Sequence, residues 1–403
     1  MSDRIVVVGG GIVGCATAYY AARDGADVTL VEREHVAFGA SGRNPGFVWL
    51  HCRNPGIALE LSLASRRLYP ELVEELPEDF GFLPNGGLIY FTAPEQRDVF
   101  AEFVEARRRD GLEMELLDGA DVRRLVPPIR EDVLGASFCP LDAQIDTPRF
   151  VRALAAGARA QGAKIREGIS VTGLRRDGDR VAGVDTSDGA IAADTVVVAA
   201  GAWTPPLLET VDVEVKIGGE RLQVLSTEPL PRMIEPLVYG PLATKQYALF
   251  RDLPSYDVAD FTAPYEDEAD IELLLLASQR ATGEILLGCP MDYPAELDQR
   301  PTFAGLAAIV HGFELDFPGL RNVPISRMWA GLLPYTSDTL PIIDASIDGL
   351  VIASGHVYGN SAGPITGKLV AQLVTGREPE IDLHECALDR GLTLPEAGTA
   401  ARW

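Results

Sequence analysis

Close to the N-terminus an apolar run, IVVV, breaks into GGGIVGCATAYYAARDG and resumes as DVTLVE. Gly9, Gly11 and Gly14 fall in the order GxGxxG between a strand and a helix, and no other stretch narrows the possible folds as much. Gly9 permits the tight turn, Gly11 lets the backbone approach a pyrophosphate, and Gly14 lets the helix pack on the strand. Ile12 and Val13 open that helix, whose free N–H groups and positive dipole end face the same place. Glu32, at the tip of the second strand, has the spacing of an acid that accepts hydrogen bonds from ribose hydroxyls. A merely structural glycine turn needs neither the flanking strands nor the acid. Arg4 to Glu32 therefore reads as a βαβ unit that binds a dinucleotide.

Beyond this unit the pattern is mostly helical from Asn54 to Arg109, punctuated by Pro70, Pro77 and Pro84 and interrupted by a short strand at Gly87 to Phe91. Short and longer helices are expected over Gly119 to Val126 and Pro148 to Gln161, the latter stopped by Gly162. Lys164 to Val198 alternates as strands do, with Asp-Gly turns suited to hairpins, and returns to the main sheet at TVVVAAG. RLQVLST, YALFRD, IELLLLAS and EILLGC, separated by loops rich in Pro and Asp, suggest a second, mostly antiparallel sheet that serves as substrate platform. After a helix over Phe303 to Phe313, the last unit is a strand GLVIASGH, a turn VYGNSAGP and a helix ITGKLVAQLVTG ending on Gly376.

Composition excludes several classes of function. A formal net charge of −24, with ammonium groups only at Lys164, Lys216, Lys245 and Lys368, repels nucleic acid and anionic membranes. The acidity fits a solvated acidic face, or a salt-adapted cytoplasm. Cys15, Cys52, Cys139, Cys289 and Cys386 lack CxxC spacing, so no metal site or disulfide framework is expected, and reduced thiols suit a cytoplasmic location. The first apolar run ends before Gly9, too early for a signal peptide or a membrane span.

Two further glycine-rich loops lie at strand ends, TVVVAAGAW with Gly201 and GLVIASGHVYGNSAGPITGK, and they favour FAD over a nicotinamide dinucleotide. The second places a helix N-terminus near Pro364 to Thr366, suited to the negative charge of a reduced flavin ring. With these motifs, ASGRNPG (Ala40 to Gly46) and RMWAGLLPYTSDTLPIID, the sequence resembles the D-amino-acid oxidase superfamily over almost its whole length, most weakly between Arg232 and Ala277. The resemblance implies an α/β fold in which a Rossmann-type, glutathione-reductase-like FAD-binding domain is interleaved with a mixed, mostly antiparallel β-sheet substrate domain. The FAD-binding part would comprise residues 1–80, 145–215 and 325–403, and the substrate part 81–144 and 216–324. It further implies that Gly9, Gly11, Ile12, Val13 and Gly14 hold the pyrophosphate and Glu32 and Arg33 the ribose. Ser41, Arg43 and Asn44 would contact phosphate and flavin, and Val171 the adenine. Gly201 and Trp203 would line the cofactor, and Gly331, Leu332, Gly355, Tyr358, Gly359, Asn360 and Ser361 would enclose the ring.

The implied activity is oxidation of a small amine or amino acid beside its nitrogen, by hydride transfer to the flavin. Departures from the family pattern qualify this. Where amino-acid-specific members carry GLRP this chain has GLLP, so Leu333 replaces the arginine that forks a substrate carboxylate, and if a carboxylate is bound, Arg53, Arg251 or Arg327 must hold it, none of them marked by a motif. The covalent-flavin cysteine of monomeric sarcosine oxidases also corresponds to Leu333, so FAD is expected to be non-covalent. Their oxygen-activating lysine falls near Leu286, which tilts the expectation from oxidase towards dehydrogenase. Tyr247, Trp329, Tyr335 and Tyr358 are candidates for an aromatic cage, and His51 or His356 for proton acceptors, with Arg251 for the substrate. Competing readings are a flavin subunit of an opine- or hydroxyproline-type dehydrogenase with partner chains, a polyamine-derivative oxidase, and a NAD-linked dehydrogenase.

Overall fold

The computed structural model describes residues 3–263, 271–294 and 296–393. Its first βαβ unit forms as the glycine spacing dictates. The strand Arg4–Val8 lies between Asp27–Val31 and Thr195–Val198, parallel to both, and Ile5, Val6 and Val7 are almost fully buried. This burial on both faces is why IVVV is a continuous apolar run rather than an alternating one. The full six-stranded order is Ile342–Ile347, Leu350–Ser354, Thr195–Val198, Arg4–Val8, Asp27–Val31 and Lys164–Arg166, parallel except at the first pair. On one face the helix Ile12–Arg23 packs against the helices Thr147–Ala160 and Gly359–Val374. The other face shares a core with the antiparallel strands Val171–Asp177, Arg180–Thr186 and Gly189–Ala192, through Leu174, Val181, Val184, Val196 and Val198.

A second sheet has eight strands in the order Ile325–Tyr335, Gly218–Thr227, Ile285–Asp292, Glu272–Gln279, Leu237–Tyr239, Gly87–Phe91, Gly135–Cys139 and Glu115–Asp118. Only the pair Leu237–Tyr239 and Gly87–Phe91 is parallel, so the sheet is mixed and mostly antiparallel. The helix Phe303–Asp316 covers its outer face through Ile309 and Phe313.

Sequence patterning differs from the structure in three places. The strand Ile325–Tyr335 pairs along its length with Gly218–Thr227, so the chain enters the six-stranded sheet only after Tyr335, not at 325. YALFRD is not a strand; Ala243–Gln246 and Ala248–Arg251 are single helical turns, pinned where Phe250 stacks on Phe103 at 4.0 Å. The last helix begins at Gly359 and carries Pro364 inside it, rather than starting near Pro364. Proline there has no N–H for the carbonyl four residues back, which is that of Asn360. The Tyr69 hydroxyl donates to this carbonyl at 2.7 Å and replaces the missing bond.

Candidate active site

One cleft, enclosing about 1710 Å³ of space that is partly open to solvent, runs from the glycine turn to the inner face of the eight-stranded sheet. At its first end Gly9 has φ +110°, and a Cβ there would meet the Ala199 carbonyl oxygen at 2.5 Å, so only glycine permits this turn. Gly14 contributes outside the cleft lining, by letting the helix pack within 2.0 Å, in Cβ terms, of the Gly9 carbonyl oxygen. Ser41 Oγ accepts from the Ile12 N–H at 3.0 Å. Glu32 accepts from the Gly10 and Glu34 N–H groups at 2.7 and 2.9 Å, which fixes its carboxylate at the rim of the cleft. Arg33 lies over the Trp203 ring at 4.5 Å, and Ile169, Val171, Gly201 and Leu207 complete this end.

The middle of the cleft is built by loops locked to one another. Asn44 Oδ1 accepts from the Gly46 N–H (2.8 Å), Thr147 Oγ1 (2.9 Å) and Asn360 Nδ2 (2.9 Å), and Ser361 Oγ both accepts from the Trp49 N–H and donates to its carbonyl. Leu332, Pro334, Gly355, Gly359, Asn360 and Ser361 line this part. Arg43 and Gly331 stand behind the lining: Arg43 lies over the Phe38 ring, its carbonyl accepts from Trp329 Nε1 at 2.8 Å, and a Cβ on Gly331 would sit 2.8 Å from Arg43 Cβ.

The far end is apolar except for one guanidinium. Leu222, Leu274, Leu276, Cys289 and Leu333 come from the large sheet, and Trp49, Tyr239, Tyr247 and Tyr358 form the aromatic part of the wall. Among them Arg53 is 1% exposed, and its guanidinium lies against the face of the Tyr358 ring. By hydrogen-bond geometry its Nε, Nη1 and Nη2 have no acceptor among the described residues, although the guanidinium is close enough to the Tyr358 hydroxyl to favour its ionised form. Burial pushes the Tyr358 hydroxyl up to about 12, and Arg53 offsets this only in part. An arginine buried without acceptors is costly unless a ligand supplies them.

The loop that delivers Arg53 is held by buried donors and acceptors. Asp142 Oδ1 accepts from the Leu50 and His51 N–H groups, and Arg107 donates to the His51 and Arg53 carbonyls at 3.1 and 2.8 Å. His51 belongs to this scaffold rather than to the cleft. It is sealed at 0% exposure between Trp49 and Phe103, with Nε2 2.8 Å from Ser137 Oγ, and burial lowers its pKa even though Asp142 is close. Arg251 is exposed on its helical turn and Arg327 is exposed over Trp329, so neither lines the cleft. Trp329 and Tyr335 stand outside the lining too, whereas Tyr247, His356 and Tyr358 are in it. Burial pushes His356 down to about 3, and its Nε2 lies 3.0 Å from Thr366 Oγ1, so it is neutral at ordinary pH and poorly suited to accept a proton. Trp49 and Tyr239, absent from the sequence candidates, could have been found only from the alternation of FVWLH and LVY.

The donor set fits FAD. A Cβ on Gly11 would meet Ser41 Oγ at 3.2 Å and otherwise open space, which is the close-approach cradle a pyrophosphate needs, and the far end is lined by the apolar and aromatic side chains that suit a flat ring system. The comparisons agree. The family model described as FAD dependent oxidoreductase matches residues 4–373. Glycine oxidase of Pseudomonas aeruginosa is 29% identical over 95% of this chain and 97% of its own. Sarcosine oxidase subunit beta of Rhizobium meliloti is 28% identical over 99% and 91%. Among solved structures, glycine oxidase from Geobacillus kaustophilus superposes with TM-score 0.82 at 24% identity, covering 97% of this chain and 100% of that one. L-proline dehydrogenase from P. horikoshii superposes with TM-score 0.82 at 24% identity, covering 96% and 97%.

Proposed function

Because the chain belongs to the FAD dependent oxidoreductase family of D-amino-acid oxidase type, we propose that it oxidises the carbon–nitrogen bond of a small amino acid whose carboxylate is held by Arg53. Relatives named for glycine, sarcosine and L-proline support an amino-acid substrate. The observation that carries the reading is a buried, acceptor-less guanidinium in the wall of the cleft, a forked donor that matches a carboxylate. It takes over the task that Leu333 cannot perform.

When bound, FAD supplies the two-electron acceptor for the substrate's C–H bond. Of the residues lining the cleft, Gly9 to Val13, Glu32, Arg33 and Ser41 would hold its nucleotide half, and Asn44, Leu332 and Gly355 to Ser361 would hold its ring half. Arg53 then fixes the substrate at one point while Tyr239, Tyr247 and Trp49 exclude water and limit its rotation. No strongly basic side chain is required at the reacting carbon, in keeping with a neutral His356.

The test is anaerobic reduction of the bound flavin by glycine, sarcosine, both prolines, D-alanine and a polyamine. Carboxylated amines are expected to bleach it and the polyamine is not; Arg53→Met is expected to cut the apparent affinity for those substrates by about 100-fold, the loss of a buried charge-assisted fork. Equal reduction of Arg53→Met and the parent protein by the same amino acid would exclude the assignment.

A second reading concerns the acceptor. The apolar wall of Leu222, Leu274, Leu276, Leu333 and Cys289 carries no ammonium, and Leu286 is fully buried outside the lining. This favours a dehydrogenase whose electrons go to an acceptor other than dioxygen, and a partner subunit is one form such an acceptor takes. Fast reoxidation of the reduced holoenzyme by air would remove it.

A further inference from the structure

The eight-stranded sheet floors the far end of the cleft, and five neighbouring strands each bring an apolar or aromatic residue to it. Leu333 comes from Ile325–Tyr335, Leu222 from Gly218–Thr227, Cys289 from Ile285–Asp292, Leu274 and Leu276 from Glu272–Gln279, and Tyr239 from Leu237–Tyr239. Leu274 and Leu276 are two residues apart and so share a face, and Tyr239 is directly opposed to Leu276. Leu222 is opposed to Gly331, and Leu333 stands two residues further along that face. Neighbouring strands lie about 4.8 Å apart, so five of them carry this floor across roughly 19 Å.

Leu222 and Leu333 are only half-buried, although both stand inside strands and line the cleft. The hydrocarbon they leave uncovered therefore borders the space where a substrate lies. Among the described residues lining the cleft, the acidic and basic ones are Glu32, Arg33 and Arg53, apart from the buried His356, and the first two belong to the glycine-turn end. Once a carboxylate occupies Arg53, the far end has no second charge for a polar side chain; it has tyrosine hydroxyls and apolar area. Glycine and sarcosine carry no side chain to cover that area. A hydrocarbon side chain covers it and displaces its water, a gain of about fourfold in affinity for each methylene.

We propose that the substrate is an amino acid whose side chain is apolar and has four carbons or more, leucine being the type, and that Leu222 and Leu333 set this preference. This rests on the amino-acid reading of the cleft, with Arg53 holding the carboxylate. Leu333, where the family pattern has an arginine, then serves the side chain instead of the carboxylate.

The experiment titrates the flavin-loaded protein with carboxylates that carry no amine to oxidise, reading the change in flavin absorbance. They are acetate, butanoate, 4-methylpentanoate, which is leucine without its amine, and succinamate, which has the shape of 4-methylpentanoate with an amide in place of its branched end. The parent protein is expected to bind 4-methylpentanoate at least about 30-fold more tightly than acetate and about tenfold more tightly than succinamate, with butanoate between. Leu222→Asn and Leu333→Asn, which keep the size of the side chain and remove its hydrocarbon character, are each expected to narrow both ratios about threefold or more. Affinity that does not rise with chain length, succinamate bound as tightly as 4-methylpentanoate, or ratios unchanged in both variants overturns the inference alone. A series in which no carboxylate perturbs the flavin, or in which Arg53→Met binds every member as the parent does, overturns the amino-acid reading beneath it.

Discussion

Arg53 and Glu220 show how single side chains can be recognised by what they lack. Each is buried to 1% exposure with polar atoms that no described neighbour satisfies, and folding alone gives no reason to bury them so. Glu220 has a measurable signature in the pH dependence of stability. Its folded value of about 8 stands above the ordinary 4.5, so between these limits the folded chain keeps a proton that the unfolded chain has released. Stability contributed by the neutral acid is complete below about pH 4.5 and is lost as pH rises through about 8. Glu220→Gln, which never ionises, is expected to match the parent protein at pH 4.5 and to exceed it at pH 9 by on the order of a few kcal/mol in denaturant unfolding. Equal gains at both pH values would mean that the carboxyl is not buried as described. Neither residue was fully legible in the sequence. Arg53 was one of several arginines with no motif to choose among them, and Glu220 lies in a strand whose burial depends on a partner strand more than a hundred residues later.

Among the elements, those with their own local code were readable: the glycine turn, the Asp-Gly hairpins, the strand Gly87–Phe91 and the helix stopped at Gly162 all follow from short-range chemistry. Elements decided by distant contacts were not. YALFRD has strand-like composition, yet aromatic packing of Phe250 on Phe100 and Phe103 winds it into a helical turn. Pro364 signals a helix start, yet a tyrosine from the helix Ile57–Glu75 makes it tolerable inside one. That substitution of one donor for another can be tested. Tyr69→Phe leaves the Asn360 carbonyl unpaired in a buried site, and a loss of about 1–3 kcal/mol in unfolding free energy is expected. Because Asn360 also bonds Asn44, weaker retention of FAD should accompany it; a variant with unchanged stability would show that the carbonyl is satisfied otherwise.

For the molecule as a whole, the fold class was legible because its two largest sheets write different patterns, continuous apolar strands in one and mostly antiparallel, separated strands in the other. The cleft between them was not, since its wall draws on residues from Val8 to Ser361. No described helix is long and apolar enough to cross a membrane, and the five cysteines are all buried and unpaired. The interleaving has a consequence for cutting the chain: a protein ending after residue 350 retains the glycine turn but lacks Gly355 to Ser361, and it is expected to hold FAD no better than free solution does. Flavin fluorescence after gel filtration would detect the opposite.

The late position of the locking segment also sets a timetable for maturation. On the ribosome the first βαβ unit emerges early and can assemble, yet the hydrogen bonds from Asn360 to Asn44 and from Ser361 to Trp49 close only when translation has passed these codons. A cradle closed by these bonds therefore requires the chain through Ser361, so a nascent chain shorter than that carries the glycine turn without its lock.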